Sequence, residues 1–338
     1  MRKWLLFCHR WAGMSVGLAM VFVASTGSLL AFRAYLEPVI LGQSCAEQMP
    51  LDDLVNAGRA VHPGTVDSLR IYPDSPRAAD LKFGRDDLFL DSCTGKLLGL
   101  HGQFGGFFNA AEHLHRWMFL ADFETVAGSV ASLCFFLIVV AGLTVWWPRT
   151  RGALKRLLVP NFRLRGFPLL LNLHKCAGSY AVLALLLLTM TGQWMAFDWI
   201  QEKVFGLQGA PKASTGAQNL PLEELWGRAR PNFTAPQEVL IRPAKKPGAP
   251  VRMLVIEADS PHSTARDDLF IDPQSGEIIK FTPYAKASLG FKLYNWGVAL
   301  HTGQAGILTS LLIFLGAISV PVLACTGILS YLKRPSSK

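Results

Sequence analysis

Apolar residues gather into four long runs, at 11–32, 126–147, 169–197 and 307–331. Each reaches the roughly 20 residues needed to cross a hydrocarbon core about 30 Å thick, which predicts four membrane-spanning helices. Between the first and second runs, and again between the third and fourth, the pattern shortens and alternates. In the first of these stretches Leu51, Leu54, Val55, Ala57 and Val61 have helical spacing that stops at Pro63. Residues 68–72 and 81–83 then read as strands, and 88–90 turns through 91–95 into 96–98 as a hairpin. The second stretch repeats the order, with a helix over 222–229, strands at 238–241 and 251–257, and a hairpin over 269–279 turning at 272–276. Asp/Gly turns between short apolar runs are a firm hairpin signal. The expected fold is a membrane protein with four transmembrane α-helices from a tandem repeat, carrying two small α+β domains outside the membrane.

The duplication is visible residue by residue. His9-Arg10-Trp11-Ala12-Gly13 matches His174-Lys175-Cys176-Ala177-Gly178 at an offset of 165, and the same offset carries Thr26-Gly27 onto Thr191-Gly192. Farther on, Arg85-Asp86-Asp87-Leu88-Phe89-Leu90-Asp91 matches Arg266-Asp267-Asp268-Leu269-Phe270-Ile271-Asp272, and Gly95 maps to Gly276. Leu114-His115 maps to Leu300-His301, with Ala141-Gly142 and Thr326-Gly327 near the ends of the second and fourth runs. Two units in the same orientation imply a pseudo-two-fold axis along the membrane normal, with sites where the units meet.

Hydrophobic residues make up 51% of the 338 and charged residues 17%, against about 25% charged in soluble proteins. A cytoplasmic enzyme, a secreted domain and a nucleic-acid-binding protein are all disfavoured, although the net charge is +9. The cations cluster before the first run (Arg2, Lys3, Arg10), between the second and third (Arg149 to Lys175) and after the fourth (Lys333, Arg334, Lys338), in segments without Asp or Glu. Lys- and Arg-rich short loops stay in the cytoplasm, so both termini and the 148–168 loop are expected inside. The first run is too long for a signal-peptide core and is expected to be retained. Cys45 and Cys93 fall in the first outer stretch, where a disulfide could persist. Cys8, Cys134, Cys176 and Cys325 suit apolar filling, and the absence of CxxC and CxxCH argues against covalent c-type haem.

Four of the eight histidines occupy matching places in the repeat. His9 and His174 begin the first and third helices on the inner side; His115 and His301 precede the second and fourth on the outer side. Ionisable groups at membrane depth are costly and usually functional, and two inward-facing histidines at one level can hold a haem axially. Gly13, Gly178 and Ala305, four residues on, leave room for a flat macrocycle, whereas Phe119 does not. Arg10, Arg116 and Lys175 each follow a histidine and could pair with propionates. His113 is the alternative to His115; His62, His101 and His262 read as solvated. A straight second helix would leave His115 about 16 Å ahead of Val126, with Asp122 and Glu124 between them.

The His-Arg-Trp-Ala-Gly start, the Leu-His-Arg-Trp and Leu-His-Thr-Gly motifs, the Trp-Trp-Pro-Arg ending of the second run and the duplicated hairpins resemble the PepSY-associated transmembrane family. Within it the chain is most similar to ferrioxamine-type siderophore reductases of bacterial inner membranes. The resemblance implies two periplasmic PepSY-like domains (34–104 and 200–290) and two b-type haems held by His9, His174, His115 and His301. Helices would occupy 1–33, 105–147 with an amphipathic lead-in, 169–199 and 291–332, before a cytoplasmic tail at 333–338. It implies a haem-dependent oxidoreductase that reduces ferric siderophores one electron at a time, with quinol or a separate cytoplasmic reductase as donor. No strand–helix GxGxxG is present for a nicotinamide cofactor. The alternatives are a periplasmic binding or regulatory module without redox activity, and a proton-coupled transporter using the histidines as relays.

Overall fold

The computed structural model describes residues 2–40, 47–73, 78–84, 86–100, 105–148, 150–207, 209–216 and 218–334. In chain order the elements are α1 (Arg2–Leu30), α2 (Arg33–Ile40), α3 (Leu51–Val61), β1 (Ser68–Ile71), β2 (Ala79–Phe83), β3 (Asp86–Leu90), β4 (Leu97–Leu100), α4 (Gly105–His115), α5 (Glu124–Trp146), α6 (Arg151–Leu158) and α7 (Phe167–Ala196). They continue with α8 (Asp198–Lys203), α9 (Leu222–Ala229), β5 (Pro236–Arg242), β6 (Val251–Glu257), β7 (Asp267–Ile271), β8 (Ile278–Thr282), α10 (Leu289–Thr302) and α11 (Ile307–Leu332). Two compact units result. One holds residues 1–32, 110–200 and 300–338, the other 33–109 and 201–299.

The first unit is a bundle of α1, α5, α7 and α11, the four helices long and apolar enough to cross a membrane. Each packs on two neighbours in the cyclic order α1, α5, α7, α11, so α1 and α7 stand diagonally across the bundle. Met20, Phe135, Ile138, Leu185 and Val320 form its buried core. Large apolar side chains such as Phe22, Leu183 and Leu312 remain exposed on its outside, where lipid covers them. α1 begins nine residues ahead of the apolar run, at Arg2, so His9 sits inside a helix rather than at its start. The basic loop holds one short helix, α6, capped by Thr150 accepting from the Ala153 amide.

Each outer stretch was expected to form a domain of its own with about three strands. Instead each supplies one helix and four strands to a single antiparallel sheet of order β4-β3-β2-β1-β5-β6-β7-β8. The order is a palindrome about the β1–β5 pair, where Leu69 faces Ile241 and Arg70 faces Leu240. Both halves bury one apolar face in a common core with α3 and α9, because neither helix and half-sheet alone covers its own apolar surface. α3 and α9 begin after Pro50 and Pro221 with no side-chain cap of their own. Each borrows an acceptor from the other. Asp52 accepts from the Leu222 and Glu223 amides at 3.0 Å, and Glu223 accepts from the Leu51 amide at 2.9 Å. Both expected turns form, with Gly95 and Gly276 at φ 65° and 69° and Asp91 and Asp272 accepting from the turn amides. Cys93 is disulfide-bonded; Cys45 lies outside the described residues.

Candidate functional site: two histidine pairs

Inside the first unit the four repeat-matched histidines meet two by two. The His9 and His174 ring centres are 6.2 Å apart with planes crossing at 76°, and those of His115 and His301 are 6.3 Å apart at 63°. Two metal–imidazole bonds of about 2 Å each, with roughly 1 Å from each Nε2 to its ring centre, together span about 6 Å. Each pair is therefore spaced to grip one metal ion between its rings. Among the described residues no three His, Cys, Asp or Glu come together as a metal site. Each pair could offer two imidazole donors to a metal ion.

Each ring is fixed by its Nδ1 atom, which leaves Nε2 as the donor nitrogen. His9 Nδ1 donates to the Ile138 carbonyl at 2.9 Å, and His115 Nδ1 to the Val23 carbonyl at 2.8 Å. His174 Nδ1 lies 3.1 Å from the Leu323 carbonyl and 3.2 Å from Thr326 Oγ1. His301 Nδ1 lies 2.9 Å from Thr191 Oγ1. That hydroxyl donates its own proton to the Leu187 carbonyl, so it accepts from the ring. Such outer partners set the tautomer and orientation of a metal-binding imidazole.

Every ring also lies against a glycine of another helix. A Cβ on Gly142 would stand 2.9 Å from His9 Cε1, and one on Gly27 2.8 Å from His115 Cε1. On Gly192 and Gly327 it would stand 3.3 Å from the Cε1 atoms of His301 and His174. Those glycines belong to the Thr-Gly and Ala-Gly pairs that mark the repeat, and their role as ring seats was not read from the sequence. The available signal was that Thr-Gly recurs in three of the four membrane helices and Ala-Gly stands at the matching place in the other, while the residues around them change.

The outer pair is reached by breaking the chain. α4 ends at His115, Trp117 takes a positive φ of 61°, and a 3₁₀ turn over Met118–Phe123 leads into α5. The straight second helix considered from the sequence does not form, which removes the expected displacement of His115 from the bundle. In the second half Gly303 (φ 76°) and Gly306 (φ 116°) make the equivalent turn between α10 and α11. Ala305 is thus in a turn and Phe119 is exposed on the 3₁₀ segment; neither lies one helical turn beyond its histidine. On the inner side the glycines one turn beyond the histidines lie within α1 and α7. A Cβ on Gly13 or Gly17 meets nothing within 4 Å, although Gly17 is buried, and Gly178 has only Leu323 Cδ2 at 3.6 Å. Open space thus lies beside α1 at Gly13 and Gly17.

His115, not His113, carries the ring that meets His301. Arg116 pairs with Glu112 at 3.0 Å, so it is committed to its own helix, whereas Arg10 and Lys175 form no ion pair among the described residues. His262 is 6% exposed, not solvated: Nε2 meets Tyr284 Oη at 3.1 Å, Nδ1 meets Thr264 Oγ1 at 2.8 Å, and Trp296 packs 4.3 Å away. Burial lowers its pKa. His62 lies 3.3 Å from Asp86, and His101 is outside the described residues.

No curated protein sequence matches the chain. The family model of the PepSY-associated TM region matches residues 6–334, which include all four histidines, the four bundle helices except the first residues of α1, and the whole sheet. On that match, the chain belongs to the PepSY-associated TM region family.

Proposed function

We propose that this protein is a dihaem b-type reductase of the bacterial inner membrane. It would pass single electrons outward and reduce periplasmic ferric siderophores, releasing Fe(II). One observation supports the reading above the rest: two imidazole pairs, each about 6 Å between ring centres and anchored through Nδ1, stand apart within one helical bundle. His9 and Val23, whose carbonyl holds His115, are fourteen residues apart on α1, or about 21 Å along the helix. The pairs therefore lie toward opposite faces of a bilayer core about 30 Å thick.

His9 with His174, and His115 with His301, would each hold one haem, which would supply one-electron ferric/ferrous chemistry. The chain's own residues do the rest. The Nδ1 bonds hold each ring in one tautomer, and the packed core of Met20, Phe135, Ile138, Leu185 and Val320 keeps water out of the bundle. Arg10 and Lys175, each next in sequence to an inner histidine, would balance propionate charge. With the basic segments cytoplasmic, His9 and His174 form the entry site and His115 and His301 the exit site. Electrons would come from quinol or from a cytoplasmic reductase at the basic loop. One electron converts Fe(III) to Fe(II), which oxygen-donor siderophores hold more weakly.

The test is pyridine haemochrome stoichiometry on the purified protein and four variants. Wild type is expected to carry two haems per chain. His9→Ala or His174→Ala should each remove one, and His115→Ala or His301→Ala the other. A colourless preparation after haem-sufficient expression rejects the reading.

A further inference from the structure

The two halves of the sheet should carry equivalent cross-strand pairs, and at one place they do not. Leu88 of β3 matches Leu269 of β7 in the repeat; Leu88 faces Leu81 on β2, and Leu269 faces Met253 on β6. Asp80 is thus the counterpart of Arg252. Asp80 faces Arg70 across the β1–β2 pair, and Arg252 faces Arg242 across the β5–β6 pair. The first repeat opposes unlike charges, and the second opposes two guanidinium groups. Like charges directly across a ladder repel, so the second arrangement is unfavourable unless something negative lies beside it.

The protein's own carboxylates on this face are already engaged. Arg252 is held by Asp268 through two 2.8 Å bonds and lies over the Phe270 ring. Glu238 accepts from Arg266 at 2.9 Å and lies 3.6 Å from Arg70, which also has Asp80 at 3.9 Å and a hydrogen bond with the Tyr72 side chain. Arg70 Nε, Arg266 Nε and Asp80 Oδ1 are enclosed without a hydrogen-bond partner. Among the described residues, these four arginines have three carboxylates between them, and Lys82 and Asp87 on the same face pair with each other at 3.7 Å. Arg242, exposed at the end of β5, makes no ion pair among the described residues. Partial enclosure of its guanidinium and the charge of Arg252 both lower its pKa, against a smaller opposing pull from Asp268.

The geometry points to an anion-binding site at Arg242, beside Arg252 and next to the seam where the two repeats join, that takes a carboxylate-rich ligand. Guanidinium forks match carboxylate oxygens in pairs. The surplus arginine arises only in the second repeat, so the composite sheet holds one such site rather than two. Resting on the reductase reading, the ligand is a negatively charged ferric chelate of the hydroxycarboxylate kind, which narrows the substrate to anionic rather than cationic siderophores.

Gallium(III) citrate is the probe, because gallium(III) mimics the ferric complex but is not reduced. Binding is titrated calorimetrically on the full chain in lipid nanodiscs. Wild type should bind it, more weakly as salt is raised. Arg242→Gln should weaken binding at least tenfold, and Arg242→Lys, which keeps the charge but loses the fork, should fall between. A cationic gallium tris-hydroxamate should show no dependence on residue 242. Unchanged binding in Arg242→Gln, absence of binding in wild type, or equal affinity for inorganic phosphate would each overturn the assignment. Because gallium takes no electron, failure of the haem reading would leave this titration unaffected, and failure of the titration would leave the haem count unaffected.

Discussion

The glycine seats give the sharpest test of the histidine geometry. In Gly27→Ala the new Cβ would sit 2.8 Å from His115 Cε1 and 3.0 Å from Nδ1, where carbon atoms prefer about 3.5–4.0 Å. The ring must retreat by about 0.7 Å or release its 2.8 Å bond to the Val23 carbonyl. Overpacking of this kind costs about 1–3 kcal/mol, equivalent to a loss of roughly 5- to 150-fold in affinity for a ligand that needs the ring in place. Gly142→Ala presses on His9 in the same way at 2.9 Å. Gly192→Ala and Gly327→Ala meet their rings at 3.3 Å, so a shift of a few tenths of an ångström suffices and the effect should be smaller. Alanine is the better helix former by about 1 kcal/mol, so none of the four should unfold the bundle. Haem titration into apo-protein, followed by Soret absorbance, should rank Gly27→Ala and Gly142→Ala well below the other two, each weakening one site only. Equal haem affinity in all four variants, or the reverse order, refutes the seat argument.

Other substitutions probe different links. Gly13→Leu fills space in which a Cβ meets nothing within 4 Å and gains about 1 kcal/mol of helix propensity; thermal stability of the apo-protein should hold while one haem per chain is lost, and retention of both haems contradicts a macrocycle beside α1. Asp52→Ala removes the acceptor for two α9 amides, a loss of about 1–2 kcal/mol by the usual worth of a cap, read as an earlier melting of tryptophan fluorescence in the sheet unit. The neutral, buried His262 has a pKa below its ordinary 6.5, so below that pH the unfolded chain takes up a proton that the fold resists. Stability should therefore be full at pH 7 and above and decline as pH falls below about 6.5, and His262→Gln should flatten the decline; an unchanged profile in the variant would assign it to other groups.

Much of this protein is local in its sequence. Four apolar runs set four membrane helices because length and hydropathy suffice for that, and α3, α9 and β6 appear at the boundaries their side-chain periodicity marks. The Asp and Gly turns form because the chemistry of five adjacent residues decides them. The histidine pairing was legible as repeat symmetry, since equivalent positions in two copies must meet about one axis. What the tertiary structure alone decided involves partners far apart in the chain. The β1–β5 seam merges two halves into one sheet, Asp52 and Glu223 cap each other's helices across some 170 residues, and the glycines under the rings lie on helices other than those of their histidines. The break at Trp117 belongs here too, because nothing nearby demands a positive φ. Periodicity records which face of an element is buried, but not which distant element will cover it.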